Sequence, residues 1–544
     1  MLRRLARVSL LLTAMAFIAL AQSKPIPQLA KKGARYNFIV DGKPFLFLGG
    51  QVDNKVFVPE EMTKVLPGFK AYNANTVEFP VPWKLIEPKE GHFEFAAFDQ
   101  IVRDIRAHGL RADVLWFGTW KGDESQYLPD WITSNRKRFP TAVDADGKAS
   151  NSMSPHGAAT LAADRKAFGV LLKHIKEIDE KDRTVILVQV ENEPGIVGPA
   201  RDHSPEANKL FNGPVPDEFV TALKRKPGTW TECFGRQFAD EAFTTYYMAK
   251  YINSVTQAGK EAYPLPMYVN VWMGGTGTND RFYDFDRPGD SYPSGGAQSH
   301  TLNLWKAAAP AVDLIAPDIY HRSGVIYRTI LSRYTRPDNP LLVVETGHGM
   351  EFARFCFMAI GDFSAIGYAQ FGVGMKDYGA TAGGADFGPG FAEMAANFNL
   401  LSNAAPVIMD LRGTKRLRSA IEEENIPGRE LSFDRWDVLA MFPPALAKQP
   451  SWAEPKGPPA IPSGRVILAQ LQPDEFLILG FDTTVDFRPS ATSGHKEGKF
   501  VSIEEGMYKD GVWSATQPLP ATAPARGVTL PKEGAMFRVK LQWN

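Results

Sequence analysis

Two stretches of the chain share a pattern in which a short apolar run ends abruptly in acidic and loop-forming residues. In residues 184–195, the run Val-Ile-Leu-Val-Gln-Val leads into Glu-Asn-Glu-Pro-Gly. In residues 341–349, Leu-Leu-Val-Val leads into Glu-Thr-Gly-His-Gly. Apolar runs of this kind are typical of strands covered on both faces of a parallel sheet. Because the carboxyl ends of such strands meet at one side of a barrel, the pattern predicts that Glu193 and Glu345 open into one site.

Similar apolar strands alternate with amphipathic helices along residues 25–405. A hairpin over residues 36–50, turning at Asp41-Gly42, leads into the first strand. Further strands are predicted near residues 110–116, 266–273, 313–321 and 364–371, and a last helix near 390–401. A repeated strand–helix unit of about 30 residues or more is the building block of parallel α/β folds. The fold class expected for residues 25–405 is therefore α/β, a TIM (β/α)8 barrel.

The pattern changes to period two beyond residue 405. Hairpins are predicted over residues 465–480 and 508–513, and a closing strand over 536–543. The Pro-rich residues 443–462 are expected to form a loop. Residues 406–544 are thus predicted to be an all-β, β-sandwich-like domain.

The first 21 residues resemble a targeting segment. Arginines precede an apolar run over residues 8–20, and Ala-Leu-Ala follows at 19–21, which is the pattern of a cleaved secretory signal peptide. A membrane anchor is the alternative, but the apolar run is shorter than the roughly 20 residues that a spanning helix needs. We expect an exported protein, periplasmic or secreted, that has no membrane contact after cleavage.

Composition narrows the function classes. Lys plus Arg equals Asp plus Glu at 61 each, so no net charge draws the chain to nucleic acid or to an anionic membrane, and a neutral substrate is expected. The nine histidines show neither HExxH spacing nor a Cys/His cluster, so neither a structural nor a catalytic metal is expected. Cys233 and Cys356 could form one bridge, but two buried thiols are favoured.

Polar and aromatic residues follow the predicted third barrel strand. Trp116, Trp120 and Lys121 lie at or beyond its carboxyl end. Sugar rings stack on aromatic side chains and a cation reaches hydroxyl groups, so these three residues are candidate substrate contacts. The alternative for either tryptophan is a place in the core.

Four stretches, in order along the chain, carry a resemblance to a known family. They are Asn-Thr-Val-Glu-Phe-Pro-Val-Pro-Trp at 75–83, Leu-Trp-Phe-Gly-Thr-Trp-Lys at 115–121, Tyr-Leu-Pro-Asp-Trp at 127–131 and Gln-Val-Glu-Asn-Glu-Pro-Gly at 189–195. With the later Glu345, they resemble the clan A retaining glycosidases, and within that clan the family 35 β-galactosidases, in particular their exported bacterial branch. The resemblance covers most of the chain, including the trailing β domain.

The resemblance implies roles for individual residues. Glu193 matches the acid/base and Glu345 the nucleophile. Asn192 and Asn54 match sugar contacts, and Tyr320 matches a tyrosine that hydrogen-bonds the nucleophile. The implied activity is hydrolysis of terminal β-D-galactosides with retention, without a cofactor, on plant cell-wall oligosaccharides such as xyloglucan side chains.

Some positions leave alternatives open. Asp53 stands where the family pattern has His, and Phe371 where many relatives have Trp. Strict alternation would place Glu191 beside Glu193 on one face, so Glu191 competes for the acid role on parity, and Asn192 reaches the same site only if the strand end is bulged. The same barrel could cleave another β-linked sugar such as a glucoside, mannoside or fucoside, or the chain could be a non-catalytic carbohydrate-binding protein.

Overall fold

The computed structural model describes residues 24–54, 56–121, 125–274, 287–374, 388–424, 426–442, 461–509, 511–519 and 527–543. The predicted signal peptide and residues 443–460 of the predicted Pro-rich loop lie outside these ranges. Across the described ranges, no helix combines the length and apolar character that crossing a membrane requires.

The strands are numbered here in chain order. They are β1 (Gln28–Lys32), β2 (Arg35–Val40), β3 (Lys43–Phe45), β4 (Phe47–Val52), β5 (Thr76–Pro82), β6 (Arg111–Lys121), β7 (Thr141–Val143), β8 (Ala149–Met153), β9 (Val185–Asn192), β10 (Met267–Trp272), β11 (Leu314–Ile319), β12 (Glu345–Thr346), β13 (Gly367–Val373), β14 (Leu417–Ile421), β15 (Gly428–Ser432), β16 (Trp436–Met441), β17 (Arg465–Gln472), β18 (Glu475–Phe481), β19 (Thr483–Pro489), β20 (Gly498–Lys509), β21 (Val512–Leu519), β22 (Val528–Leu530) and β23 (Ala535–Trp543).

The helices are numbered in the same way. They are α1 (Pro59–Ala71), α2 (Trp83–Ile86), α3 (Ala96–Ala107), α4 (Asp130–Thr133), α5 (Ala158–Asp179), α6 (Pro205–Phe211), α7 (Asp217–Ala222), α8 (Trp230–Phe234), α9 (Ala239–Ala262), α10 (Leu302–Ala308), α11 (Gly324–Tyr334), α12 (Ala353–Gly361) and α13 (Gly388–Leu411).

Eight parallel strands form one sheet in the order β12-β11-β10-β9-β6-β5-β4-β13. A parallel bridge between Val343, just before β12, and Tyr368 of β13 joins the two ends of this sheet. The closed sheet confirms the predicted (β/α)8 barrel. The apolar runs form its strands because the interior and the surrounding helices cover both faces, so every residue of β5 and β9 is buried.

The segments around the barrel refine the sequence-based prediction. Asp41 and Gly42 form the predicted turn, both with positive φ, but the hairpin belongs to a separate antiparallel sheet, β1-β2-β3, that precedes the barrel strand. The long segment predicted as a loop after Lys121 contains α4 and the β7–β8 hairpin. The last barrel helix, α13, runs to Leu411 and so passes the predicted domain boundary at 405.

The chain ends in two antiparallel sheets, β14-β17-β18-β23-β20-β21 and β15-β16-β19-β22, which confirm the predicted all-β domain. Apolar residues from both sheets, among them Trp436 and Phe476, form its core. Arg465 of β17 reaches into the barrel helix α13, donating to Asn397 Oδ1 at 2.6 Å and to Glu393 Oε2 at 2.8 Å. This contact fixes the β domain against the end of the barrel.

The two cysteines do not form a bridge. Cys233 and Cys356 are both buried thiols, which confirms the favoured alternative.

Candidate active site

The carboxyl end of β9 leaves the regular strand conformation. Glu191 and Glu193 both have left-handed backbone conformations, with φ of 64° and 48°. Such conformations cost a non-glycine residue of the order of 1–3 kcal/mol and concentrate at functional sites. Because the alternation is broken, the Glu191 side chain lies outside the barrel, and Asn192 and Glu193 reach the same side. The Asn192 amide donates to Glu193 Oε2 at 3.2 Å. The bulge that the role of Asn192 required is present.

The neighbouring strand β6 is irregular at the same level. Trp116 pairs with Val190, and the next pairing joins Lys121 to Asn192, so β6 takes five steps where β9 takes two. This bulge brings the Lys121 ammonium to 3.6 Å from Glu193 Oε2. The predicted position of Lys121 at the site is therefore reached through the bulge.

Three carboxyl groups meet at the carboxyl ends of β9, β11 and β12. One carboxylate oxygen from each of Glu193, Asp318 and Glu345 lies within 4.8 Å of the other two. A cavity of about 340 Å³ opens here, and Glu193, Asp318, Trp272, Met273 and Tyr320 line it. Oxygen ligands at such spacing could also hold a cation, a position for which Lys121 would compete.

Asn270 of β10 forms hydrogen bonds that link the residues around these three carboxyl groups. Its Oδ1 accepts the backbone N–H of Glu193 at 2.7 Å, and its Nδ2 donates to Asp318 Oδ2 at 2.8 Å and to Asn192 Oδ1 at 3.3 Å. Gln189 also donates to Asn192 Oδ1, at 3.0 Å. With both lone pairs of Oδ1 occupied, the Asn192 amide is oriented with its N–H groups toward Glu193. Asn270 was not predicted from the sequence. The signal available was that it is a polar residue inside an apolar strand.

Glu345 is the more buried of the two predicted catalytic acids. The Tyr320 hydroxyl donates to its Oε1, as the resemblance implied. Burial and then the charge of Glu193 raise the pKa of Glu345 to about 7, while Lys121, Tyr320 and Gln51 act in the opposite direction. Near neutrality this carboxyl therefore changes its charge.

Asp318 was also missed by the sequence analysis. It is 1% exposed, pairs with Glu345 across β11 and β12, and has one oxygen, Oδ1, without a hydrogen-bond partner. Burial, then the charges of Glu345 and Glu193, raise its pKa well above the usual range. A protonated Asp318 adds a hydrogen-bond donor to the cavity. Period two along β11 places it on the same face as Tyr320, and this was the signal available.

A second pair of acids lies deeper in the barrel. Glu78 of β5 and Asp113 of β6 are neighbours in register and fully buried. The Tyr268 hydroxyl donates to Asp113 at 2.9 Å. Burial raises the pKa of Asp113 to about 8, and burial together with the charges of Asp113 and Glu345 raises that of Glu78 well above its usual range. The raised pKa values favour the protonated forms of both groups and so limit the negative charge below the three carboxyl groups.

The predicted roles of Trp116 and Trp120 are wrong. Their side chains are 0% and 1% exposed and pack outside the barrel strands, Trp116 against Phe168 and Trp120 against Tyr251. Trp116 lies before the register shift, on the face opposite to the interior Asp113, so regular alternation places its ring on the helix side. Trp120 follows within the bulge and packs on the same side. The aromatic side chains that line the cavity are Trp272, at the end of β10, and Tyr320.

Asn54 is linked to the three carboxyl groups through one intermediate residue, Gln51. Its Oδ1 accepts from Gln51 at 3.4 Å, and Gln51 in turn hydrogen-bonds Glu345. Asn54 thus reaches the predicted nucleophile through Gln51.

Comparison with known proteins finds similarity to β-galactosidases in one part of the chain. Residues 58–246 match the model of glycoside hydrolase family 42, described as "Beta-galactosidase", and residues 394–519 match a domain of unknown function. The first range contains Glu193, and the second covers most of α13 and much of the β domain.

Individual relatives carry the same name. Beta-galactosidase 8 of Oryza sativa subsp. japonica is 30% identical over 174 residues, covering 30% of this chain and 24% of that protein. A beta-galactosidase of Xanthomonas manihotis is 28% identical over 192 residues, covering 34% of this chain and 29% of that protein. The crystal structure of a cold-adapted β-galactosidase from Rahnella sp. R3 has a TM-score of 0.47 at 16% identity, covering 70% of this chain and 58% of that one.

The matched segments thus span less than a third of the length of these curated relatives. Because the family model is that of family 42, membership in family 35 stays a prediction. In the part of the barrel that holds Glu193, this chain is similar to β-galactosidases.

Proposed function

We propose that this protein is a retaining β-galactosidase that removes terminal β-D-galactosyl groups. The observation that carries the proposal is the proximity of Glu193, which follows β9, to Glu345 of β12: one carboxylate oxygen of each lies within 4.8 Å of the other. Retaining glycosidases hold their two carboxyl groups about 5–5.5 Å apart, whereas inverting enzymes leave about 6.5–9.5 Å for a water molecule. Oxygens within 4.8 Å favour retention.

In the proposed mechanism, Glu345 attacks the anomeric carbon while Glu193 protonates the leaving oxygen. The glycosyl ester removes the negative charge of Glu345. Glu193, now a carboxylate, then takes a proton from water, which attacks the anomeric carbon and releases Glu345. Tyr320 donates to the attacking carboxylate, and Lys121 stabilises the negative charge that the pair carries.

The cavity supports binding of a neutral sugar ring. Trp272 supplies an aromatic face. Asp318 and Tyr320 supply polar groups in the same cavity, beside the catalytic pair. The sequence resemblance to the exported branch of family 35 supports an exported enzyme that acts on plant-wall oligosaccharides such as xyloglucan side chains.

Aryl glycosides test the sugar and the reaction together. The enzyme should release nitrophenol from the β-galactoside faster than from the β-glucoside, β-mannoside or β-fucoside. A different preferred sugar would revise the specificity, and no turnover of any aryl glycoside, with folded protein, would support a non-catalytic carbohydrate-binding protein.

Proton NMR of the early digest tests the stereochemistry. β-Galactose should appear first and mutarotate later. Initial α-galactose would contradict the roles of both glutamates.

A further inference from the structure

A further carboxyl pair, distinct from Glu78 and Asp113, lies behind the active site, between β9 and helix α5. Glu191 and Asp164 are both 0% exposed, and their carboxyl groups are near enough for the charge of Asp164 to act on Glu191. Each also accepts donors from β6. The backbone N–H of Trp120 donates to Glu191 Oε2 at 2.8 Å, and the Trp116 indole donates to Asp164 Oδ1 at 3.0 Å.

These donors belong to the β6 bulge that ends at Lys121. In a regular ladder the backbone N–H groups of the bulge residues would donate to carbonyl groups of β9. The register shift between Trp116 and Lys121 removes these hydrogen-bond partners. The Glu191 carboxylate replaces one of them by accepting the backbone N–H group of Trp120. Gly118 leaves room for it, because a Cβ there would lie 2.7 Å from Glu191 Oε1. The acid pair therefore determines the shape of the bulge.

The pair is surrounded by neutral donors. The Thr119 hydroxyl donates to Asp164 Oδ2 at 2.6 Å, and the Tyr251 hydroxyl of α9 contacts the same oxygen at 3.3 Å. Burial and the neighbouring acids raise the pKa of Tyr251 well above its usual range, so this phenol stays neutral. Two carboxylates in contact repel each other, and in such pairs one is protonated. Burial and then Asp164 raise the pKa of Glu191 well above the usual value.

We propose that Glu191 and Asp164 share one proton and form a positioning pair that holds the β6 bulge, and through it the Lys121 ammonium, beside Glu193. The pair touches neither the cavity nor the reacting atoms. Its effect on turnover rests on the proposed function, whereas the shared proton does not.

Thermal unfolding between pH 5 and pH 9 tests the shared proton without any substrate. The folded wild type keeps a proton that an unfolded glutamate releases, so its stability should fall as the pH rises above the ordinary pKa of glutamate. In Glu191→Gln the amide donates to Asp164 permanently, so the difference in Tm should grow with pH in favour of the variant. The exposed Glu261→Gln is the matched control and should follow the wild type. Parallel curves for Glu191→Gln and the wild type would overturn the shared proton.

A double-mutant cycle on an aryl β-galactoside tests the connection to Lys121. Lys121→Met and Glu191→Leu should each lower kcat/KM by about 10- to 100-fold, the value of a hydrogen bond to a charged group. If Glu191 acts through Lys121, the double variant should stay within about twofold of Lys121→Met. Multiplied losses would overturn the positioning role.

Glu191→Gln separates the remaining possibilities. It should fold and keep activity near the wild-type value at neutral pH, which also holds if Glu191→Leu fails to fold. A folded Glu191→Gln that has lost turnover would show that a neutral, proton-bearing group at position 191 does not hold the bulge, and would overturn the proposal. A wild type without glycosidase activity would refute the proposed function, and the unfolding curves alone would then decide the shared proton.

Discussion

The Lys121 ammonium lies 3.6 Å from the Glu193 carboxylate, although Lys121 follows a bulge of β6 and Glu193 a bulge of β9. Two irregular strand ends are therefore needed to bring one cation to one acid. In a centre that also contains Asp318 and Glu345, this cation offsets part of the negative charge.

Replacing Lys121 by Met should reduce kcat/KM by about 10- to 100-fold at pH 7, because a charged hydrogen-bonding group is lost. The loss should be smaller above pH 8, because Lys121 also lowers the pKa of Glu345. Lys121→Arg, which keeps the charge, is the control. Equal losses at all pH values would show that the charge does not act on the nucleophile.

Replacing Glu193 by Ala should affect the two steps differently. Activated dinitrophenyl galactosides should still glycosylate Glu345, whereas unactivated oligosaccharides should lose about 10²- to 10⁴-fold, the usual contribution of general acid catalysis. Added azide should release the intermediate as the β-galactosyl azide. Glu345→Gln should lose activity on all substrates, and azide should not restore it. If Glu193→Ala loses activity on both substrates equally and azide has no effect, Glu193 is not the acid/base.

The activity should fall as the pH drops below about 7, because burial raises the pKa of Glu345 to about 7 and the nucleophile must be ionised. Below this value kcat/KM should fall about tenfold per pH unit. Tyr320→Phe removes a hydrogen bond that stabilises the ionised form, so it should move the acid limb to higher pH. An unmoved limb would indicate that another group controls it.

Asp318→Asn and Asp318→Ala should differ. If Asp318 is protonated at neutral pH, Asn preserves its shape and the acceptor for the Asn270 amide, and activity should be largely kept. Ala leaves that buried donor without a partner, at a cost of about 1–3 kcal/mol, and should lower Tm and activity together. Loss of activity in Asp318→Asn with an unchanged Tm would show that the ionised carboxylate is required.

The sequence determined the barrel and its two central acids. Runs such as residues 185–190 have no polar face, so they form strands only where both faces are covered, and the polar residues must lie at the ends. For the same reason Glu193 and Glu345, far apart in the chain, were predicted to lie at one end of the sheet. Tyr320 could be assigned because its motif matched that of a family.

Only the tertiary structure decided which side chains face the cavity. Alternation along a regular strand would have paired Glu191 with Glu193, but the left-handed conformation of both residues separates them. Trp116 and Trp120 pack on the helix side of β6, and the bulge that follows Trp116 brings Lys121 in. A bulge is stabilised by partners distant in sequence, here Asp164 and Tyr251 on helices α5 and α9. Local pattern contains no information about such contacts, because they exist only once the helices have packed against the barrel.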